Sequence, residues 1–219
     1  MVKQGYKQTE IGVIPEDWEV QYLSDLTNRI GDGIHSTPLY SDNDDFYFIN
    51  GNNLGNGRIN IDSVTKTVSY DQYKLHKRDL SNNTILLSIN GTIGNIAFFR
   101  NEPIILGKSA CYINFNNEIN KHYIKYLVKS PLFFKNMASN STGATIKNFS
   151  LKSMRNYSLP LPSIEEQKEI VSKLDKISAE TQKLEAVYQK KIDDLEEMKK
   201  SILQKAFAGE LETEKAIAV

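Results

Sequence analysis

LPLPSIEEQKEIVSKLDKI, residues 159–177, ends one kind of chain and begins another. Pro160 and Pro162 keep the residues just before them out of helical conformation. Ser163 then stands three residues ahead of Glu166, the spacing of a capping box. In that motif the serine oxygen accepts from the backbone N–H three residues on, and the glutamate reaches back to the serine N–H. Glu165, Glu166 and Glu169 set negative charge at the positive end of a helix, and Lys199, Lys200 and Lys205 set positive charge at its other end. No proline follows Pro162, and the next glycine is Gly209, a natural residue for the position just past a helix C-terminus. The stretch therefore opens a helix over 163–209, about 45 residues and roughly 67 Å long.

Along it, Ile170, Leu174, Ile177, Thr181, Leu184, Tyr188, Lys191, Leu195, Met198, Ile202 and Lys205 alternate at spacings of four and three. Most are apolar, which makes a coiled-coil seam rather than the broader stripe of a helix lying on a globular core. Ile170, Leu174, Ile177, Leu184, Tyr188, Leu195, Met198 and Ile202 are the expected interface residues. A helix folded back along its own domain is the alternative, but about 160 residues make too small a head to cover such a length. The sequence offers no second long helix, so the covering helix is expected from another chain. Tyr188 and the seam lysines suit an antiparallel crossing, or a seam shared with a third protein, better than a parallel zipper.

Upstream, residues 1–162 read as one α+β domain, strands first and helices late. Residues 1–20 show no periodicity, and Pro15 with the single Trp18 predicts an extended arm pinned onto the domain. GDGIHSTPLY (31–40) reads as a loop, and DFYFIN (45–50) and GRINID (57–62) as short strands joined by the Asn- and Gly-rich GNNLGNG. NTILLSINGTIGNIAFFR (83–100) predicts two β segments broken at Gly91 and Gly94, and PIILGKSACYINF (103–115) another strand pair. Two short helices follow, one capped by Asn120 and one by Ser130 with Pro131 in its first turn. The expected organisation is a domain at 1–162, a spacer and dimerisation helix at 163–209, and a tail at 210–219.

Net charge is zero, with 27 basic and 27 acidic side chains. Their distribution is uneven: no acid stands between Glu118 and Glu165, an interval holding Lys121, Lys125, Lys129, Lys135, Lys147, Lys152 and Arg155. A one-sign interval among tyrosines and phenylalanines marks a phosphate-facing surface, although solvated lysines on short helices make the same pattern. No run approaches a membrane span, and the N-terminus lacks the apolar stretch of a secretory signal. A cytoplasmic protein is expected. Cys111 is the one cysteine, which excludes an intrachain disulfide and a cysteine-rich zinc site and reads as a small core residue.

Catalytic chemistry is not indicated. His35, His76 and His122 are far apart and lack metal-ligand spacing. GNNLGNG has no following Lys-Ser/Thr and does not run into a helix, unlike a phosphate-binding P-loop. Neither an Asp/Asn-Pro-Pro-aromatic tetrapeptide nor a Pro-Asp…Glu-x-Lys pattern is found. No cofactor or metal is expected, and the chain reads as an interaction module.

Five segments, GYKQTEIGVIPEDWEV (5–20), GDGIHSTPLY (31–40), LLSINGTIGNIAFF (86–99), STGATIKNFS (141–150) and LPLPSIEEQKEIVSKLD (159–175), together resemble the DNA-specificity subunit of type I restriction–modification systems. KKSILQKAFAGEL (199–211) is similar to that family's helix end. The resemblance implies a target-recognition domain that binds double-stranded DNA and a non-catalytic subunit that directs partners. Those partners are methyltransferase subunits and, in the full complex, endonuclease motor subunits. The usual member carries two recognition domains and two helices as an internal repeat, whereas one copy is present here. The expectation is a homodimer whose antiparallel helices hold two recognition domains apart, so that each reads half of a bipartite palindromic site. A specificity subunit of a related fused restriction–modification enzyme, or a coiled-coil adaptor that does not bind DNA, are the alternatives.

On this reading Lys108 and the late lysines neutralise phosphates, and polar loop residues reach base edges. The candidates are His35, Ser36 and Thr37; Asn90 and Thr92; and Thr145, Lys147 and Asn148. Residues shared across a family that reads many sequences also serve to shape the fold, so NGNNLGNGRIN (50–60) and KTVSYDQYKLHKRD (66–79) are further places for base readers. Phe207 and Ile217 are candidate docking points for a methyltransferase subunit.

Overall fold

A computed structural model describes residues 3–116, 119–139 and 148–211. The chain opens with a hairpin, β1 (Tyr6–Thr9) and β2 (Gly12–Pro15), followed by β3 (Glu19–Tyr22), a 3₁₀ turn at Leu23–Leu26 and β4 (Thr27–Asp32). Short strands β5 (Tyr40–Ser41), β6 (Phe46–Ile49), β7 (Leu54–Gly55), β8 (Arg58–Ile59) and β9 (Thr67–Val68) lead to helix α1 (Tyr70–His76). Then come β10 (Thr84–Ser88), β11 (Ile96–Phe98), β12 (Ile104–Leu106) and β13 (Ala110–Phe115). Helices α2 (Lys121–Val128), α3 (Pro131–Ser139) and α4 (Leu151–Arg155), strand β14 (Ser158–Leu161) and the long α5 (Ile164–Phe207) complete the order. The fold is mixed α+β with a long C-terminal helix, and it divides into two compact units after Val171.

The first unit is built around β10. TILLS is buried at every position because the strand has apolar layers on both faces. Side chains alternate along a strand, so Ile85 and Leu87 enter one core with Phe133, Met154, Tyr157 and Leu159, while Leu86 enters another with Ile49, Leu106 and Tyr112. Its two buried hydroxyls are satisfied: Thr84 Oγ1 donates to Asn114 Oδ1 at 2.7 Å and Ser88 Oγ to the Thr92 carbonyl at 2.5 Å. One antiparallel sheet runs β11-β10-β13-β4, and a second, mixed sheet runs β12-β6-β9-β5 with β12 parallel to β6. Cys111 is fully buried and burial pushes its thiol up, as suits a core residue.

Several local expectations hold and others change. Strands form on either side of Gly91 and Gly94 and pair with each other. Asn120 Oδ1 accepts from the His122 N–H at 2.9 Å at the start of α2, and Ser130 Oγ from the Phe133 N–H at 3.3 Å in α3. The two strands of 103–115, by contrast, enter different sheets. Likewise β6 does not pair with β8, since GNN makes a 3₁₀ turn and Leu54–Gly55 supplies β8 with its partner. The N-terminal arm is a hairpin, yet Trp18 does pin it, its indole N–H donating to Glu166 Oε1 at 3.3 Å. Unforeseen were α4 and β14, the latter pairing with β3 although it contains Pro160, which a two-stranded edge tolerates.

At the junction the capping box forms in full. Glu166 N–H donates to Ser163 Oγ at 3.3 Å, and Ser163 N–H donates to Glu166 Oε2 at 3.0 Å. The hydrogen bonds from the Ser163 hydroxyl and backbone, then from the Trp18 indole, hold the Glu166 carboxyl below the usual range. One turn further, Gln167 is 1% exposed; its amide donates to the Pro162 carbonyl and accepts from the Asn120 N–H, each at 2.9 Å. A single side chain thus ties the start of α5 to the start of α2. Val171 and Ile170 pack against the core of the first unit.

The second unit, taken by itself, is the rest of α5. Among its described residues, Ile177, Leu184, Tyr188, Leu195, Met198 and Ile202 are all about half exposed, as are Val187, Ile192 and Leu203. The apolar face is therefore wider than the alternating seam. Gly209 closes the helix at φ 73°, its N–H bonding the Ala206 carbonyl while the Glu210 N–H bonds that of Lys205, the Schellman arrangement.

Candidate nucleic-acid interface

Segments far apart in sequence meet at one edge of the first unit. Beyond β4, Ile34 makes a parallel bridge with Gly107 and its N–H donates to the Leu106 carbonyl at 2.7 Å. That contact sets His35 next to the β12–β13 turn, where Lys108 is exposed. The Asn90 amide, in the β10–β11 turn, donates to the Lys108 carbonyl at 3.2 Å. Asn90 also forms an antiparallel bridge with Asn148, and the Phe149 N–H donates to the Ile89 carbonyl at 2.9 Å. His35, Asn90, Lys108 and Asn148 are thus joined through main-chain bridges and the Asn90 side-chain amide into one polar rim, with Ser36, Thr37 and Thr92 exposed in the same loops. Thr145, Lys147 and Ile217 lie outside the described residues. Phe207 is 91% exposed at the end of α5.

Close backbone approaches hold the rim together. A methyl group on Gly107 would come within 2.2 Å of the Asn50 amide oxygen, and one on Gly33 within 1.9 Å of the Leu106 carbonyl oxygen. Only glycine fits either place, which explains Gly33 of GDGIH and Gly107 of LGKS. Polar side chains complete the frame: Ser109 Oγ donates to Asn50 Oδ1 at 3.0 Å and accepts from the Gly51 N–H at 2.9 Å. Ser109 was not legible as a site residue, because it acts through Asn50 and Gly51, more than fifty residues away. Asp32 holds His35, with Oδ2 at 2.8 Å from Nε2, and the histidine side chain is 70% exposed.

The basic interval is partly engaged in structure. Lys121 donates to the Asn82 carbonyl and lies 5.6 Å from the Phe98 ring centroid; burial, then Arg100, lowers its pKa. Lys125 sits 4.5 Å from the centroid of Tyr126. Among the described residues no group of three His, Cys, Asp or Glu could hold a metal ion, and no helix is long and apolar enough to cross a membrane. The rim offers exposed amide, hydroxyl, imidazole and ammonium groups on a rigid frame, suited to hydrogen bonding and phosphate contact.

Known proteins place this architecture. Residues 15–196 match the family model of the type I restriction modification DNA specificity domain. The putative type I restriction enzyme MjaX specificity subunit of Methanocaldococcus jannaschii is 30% identical over 215 residues, covering 94% of this chain and 49% of that protein. The type I restriction enzyme EcoBI specificity subunit of Escherichia coli is 26% identical over 204 residues, covering 91% and 43% respectively. The chain thus spans about half the length of the curated relatives it matches. Among solved structures, the HsdS subunit from Thermoanaerobacter tengcongensis shares the fold at a TM-score of 0.60 and 18% identity, over 95% of this chain and 49% of that one. A chain from a type I R-M system solved for its complex assembly and conformational transition gives 0.65 at 19% identity, over 90% and 47%. From the match over 15–196, this chain belongs to the type I restriction modification DNA specificity domain family.

Proposed function

We propose that the chain is a non-catalytic DNA-recognition subunit of a type I restriction–modification complex, acting on the DNA of the cell interior. The first unit reads a half-site of double-stranded DNA through the rim of His35, Ser36, Thr37, Asn90, Thr92 and Asn148, with Thr145 and Lys147, outside the described residues, as further candidate contacts. Lys108 and neighbouring cations neutralise phosphates, so affinity falls steeply with salt. The observation that carries this reading is the convergence of the loops at His35, Asn90, Lys108 and Asn148 into one exposed polar surface on a chain of this family.

The helix completes the function. The apolar side chains from Ile177 to Ile202 are about half exposed, and a covering helix would remove them from water. In the proposed assembly a second copy supplies that helix antiparallel, using Ile170, Leu174, Ile177, Leu184, Tyr188, Leu195, Met198 and Ile202. A helix of 44 residues is roughly 66 Å long, about two turns of B-DNA, which suits two half-sites separated by several base pairs. Two-fold symmetry makes the half-sites identical and the target palindromic. Methyltransferase subunits, and endonuclease motor subunits where present, supply the chemistry. The domains divide the labour at 1–162 for reading, 163–209 for spacing and 210–219 for the tail.

The test is binding of the purified chain to mixed-sequence duplex DNA across a salt series, with and without its methyltransferase subunit. DNA binding that weakens with salt and gains sequence preference with the methyltransferase is expected. A coiled-coil adaptor would bind no DNA in either case, and methyl transfer by the chain alone would contradict a non-catalytic role.

A further inference from the structure

Strand β4 is an edge of its sheet, and its outward carbonyls are capped by arginines from elsewhere in the chain. Arg155, the last residue of α4, donates from Nη2 to the Ile30 carbonyl at 2.9 Å. Arg78, just beyond α1, donates from Nε to the Asp32 carbonyl at 3.3 Å. Together with Arg29 on β4 itself, they line an open pocket of about 490 Å³. Its walls are mainly polar, including Thr27, Asn28 and Tyr112. Apolar ligands favour apolar walls, so a polar or charged occupant is indicated.

Three arginines and one carboxylate line the pocket. That carboxylate belongs to Asp32 and is already shared with His35 at 2.8 Å. No arginine is ion-paired among the described residues. A guanidinium has five N–H donors in a planar fork, and one bond to a carbonyl leaves most of them for an anion. The capping bonds fix two of the three groups in position before any ligand arrives. We propose that Arg29, Arg78 and Arg155 form a phosphate-binding pocket. Resting on the DNA-recognition reading, its occupant is a backbone phosphate of the target duplex. Asp32 connects the two places, since it lines the pocket and holds His35 of the polar rim. A phosphate held here fixes the register of the duplex beside His35, a positioning contact that carries no sequence information of its own.

The experiment measures duplex binding across a salt series for wild type, Arg29→Gln, Arg78→Gln and Arg155→Gln, with pyrophosphate binding by calorimetry as a second arm. Arg29→Gln removes no capping bond, so it separates ligand contact from folding; Arg78→Lys and Arg155→Lys retain the charge. Weaker binding to all sequences, with the slope of log affinity against log salt reduced by about one per lost contact, supports the proposal, as does partial recovery in the lysine variants. If wild type binds DNA and Arg29→Gln and Arg78→Gln match it in affinity and slope, the pocket assignment fails while the DNA reading stands. Pyrophosphate binding lost in Arg29→Gln, in a protein that binds no DNA, keeps the phosphate pocket and removes the DNA reading. Binding of neither ligand by wild type overturns both.

Discussion

Replacing Gln167 by methionine keeps the side chain's length and removes both of its hydrogen bonds. The site is 1% exposed, so water does not take over. The Pro162 carbonyl loses its 2.9 Å donor and the Asn120 N–H its 2.9 Å acceptor, the first buried and the second part-buried at the junction. Leaving one buried polar group unpaired costs about 1–3 kcal/mol. Because some relaxation of the β14–α5 link is available, the pair together cost roughly 2–4 kcal/mol, a large part of the ~5–15 kcal/mol typical of whole domains. For a chain of this size each kcal/mol lowers the melting temperature by about 2–4 °C, so a fall of roughly 5–15 °C is expected. Urea unfolding followed by Trp18 fluorescence is the suitable assay, since the one tryptophan is bonded to Glu166 at the same junction. A lower midpoint with an unchanged urea slope is predicted. Gln167→Glu retains an acceptor for Asn120 but sets a carboxylate against the Pro162 carbonyl; it should be unstable at neutral pH and recover in acid as it protonates. A Gln167→Met midpoint equal to wild type would refute the assignment of this amide as the tie between α2 and α5.

Glu166 gives a pH dependence. Its folded-state pKa is depressed by the Ser163 and Trp18 hydrogen bonds, so its stabilisation is complete above the ordinary glutamate range and is lost as pH falls through the folded value. Urea midpoints of wild type and Glu166→Gln should therefore differ at pH 7 and converge in acid; a gap that is constant with pH would contradict this. Gly107→Ala drives a methyl group against the Asn50 amide and the Phe48 ring, and should cost about 1–3 kcal/mol in urea unfolding, the usual range for overpacking. Replacing Leu184 and Tyr188 together with glutamate should give monomers by sedimentation, and persistent dimers would remove these residues from the seam.

The sequence disclosed most where the signal is local. Ser163 with Glu166, the charges at the helix ends and Gly209 bracket α5 within two residues of its observed limits, because capping chemistry lies within a turn of the end it marks. TILLS and IAFF stood out as β segments from composition alone. Pairing across long intervals did not: nothing near Ile104 reveals that β12 lies parallel to β6, more than fifty residues away. The rim residues were approached through loop chemistry, and the contacts of Ile34 with Gly107 and Asn90 with Asn148 supplied what the loops alone could not, their adjacency. Arg155 was legible only as one cation of the acid-free interval, and its bond to the Ile30 carbonyl, which fixes it at an edge strand, needed the fold. Nothing local singles out Gln167 among the charged residues around it, and only the fold shows that its amide joins the Pro162 carbonyl to the Asn120 N–H.

The central claim is that two copies of one reading unit, held apart by paired helices, address one DNA site. Methylome sequencing of cells that carry this chain with its methyltransferase, and lack other specificity subunits, tests it most directly. Modification at a bipartite motif with identical half-sites on opposite strands and a fixed gap is predicted. Chain-dependent methylation at an asymmetric motif, or none at all, would contradict it.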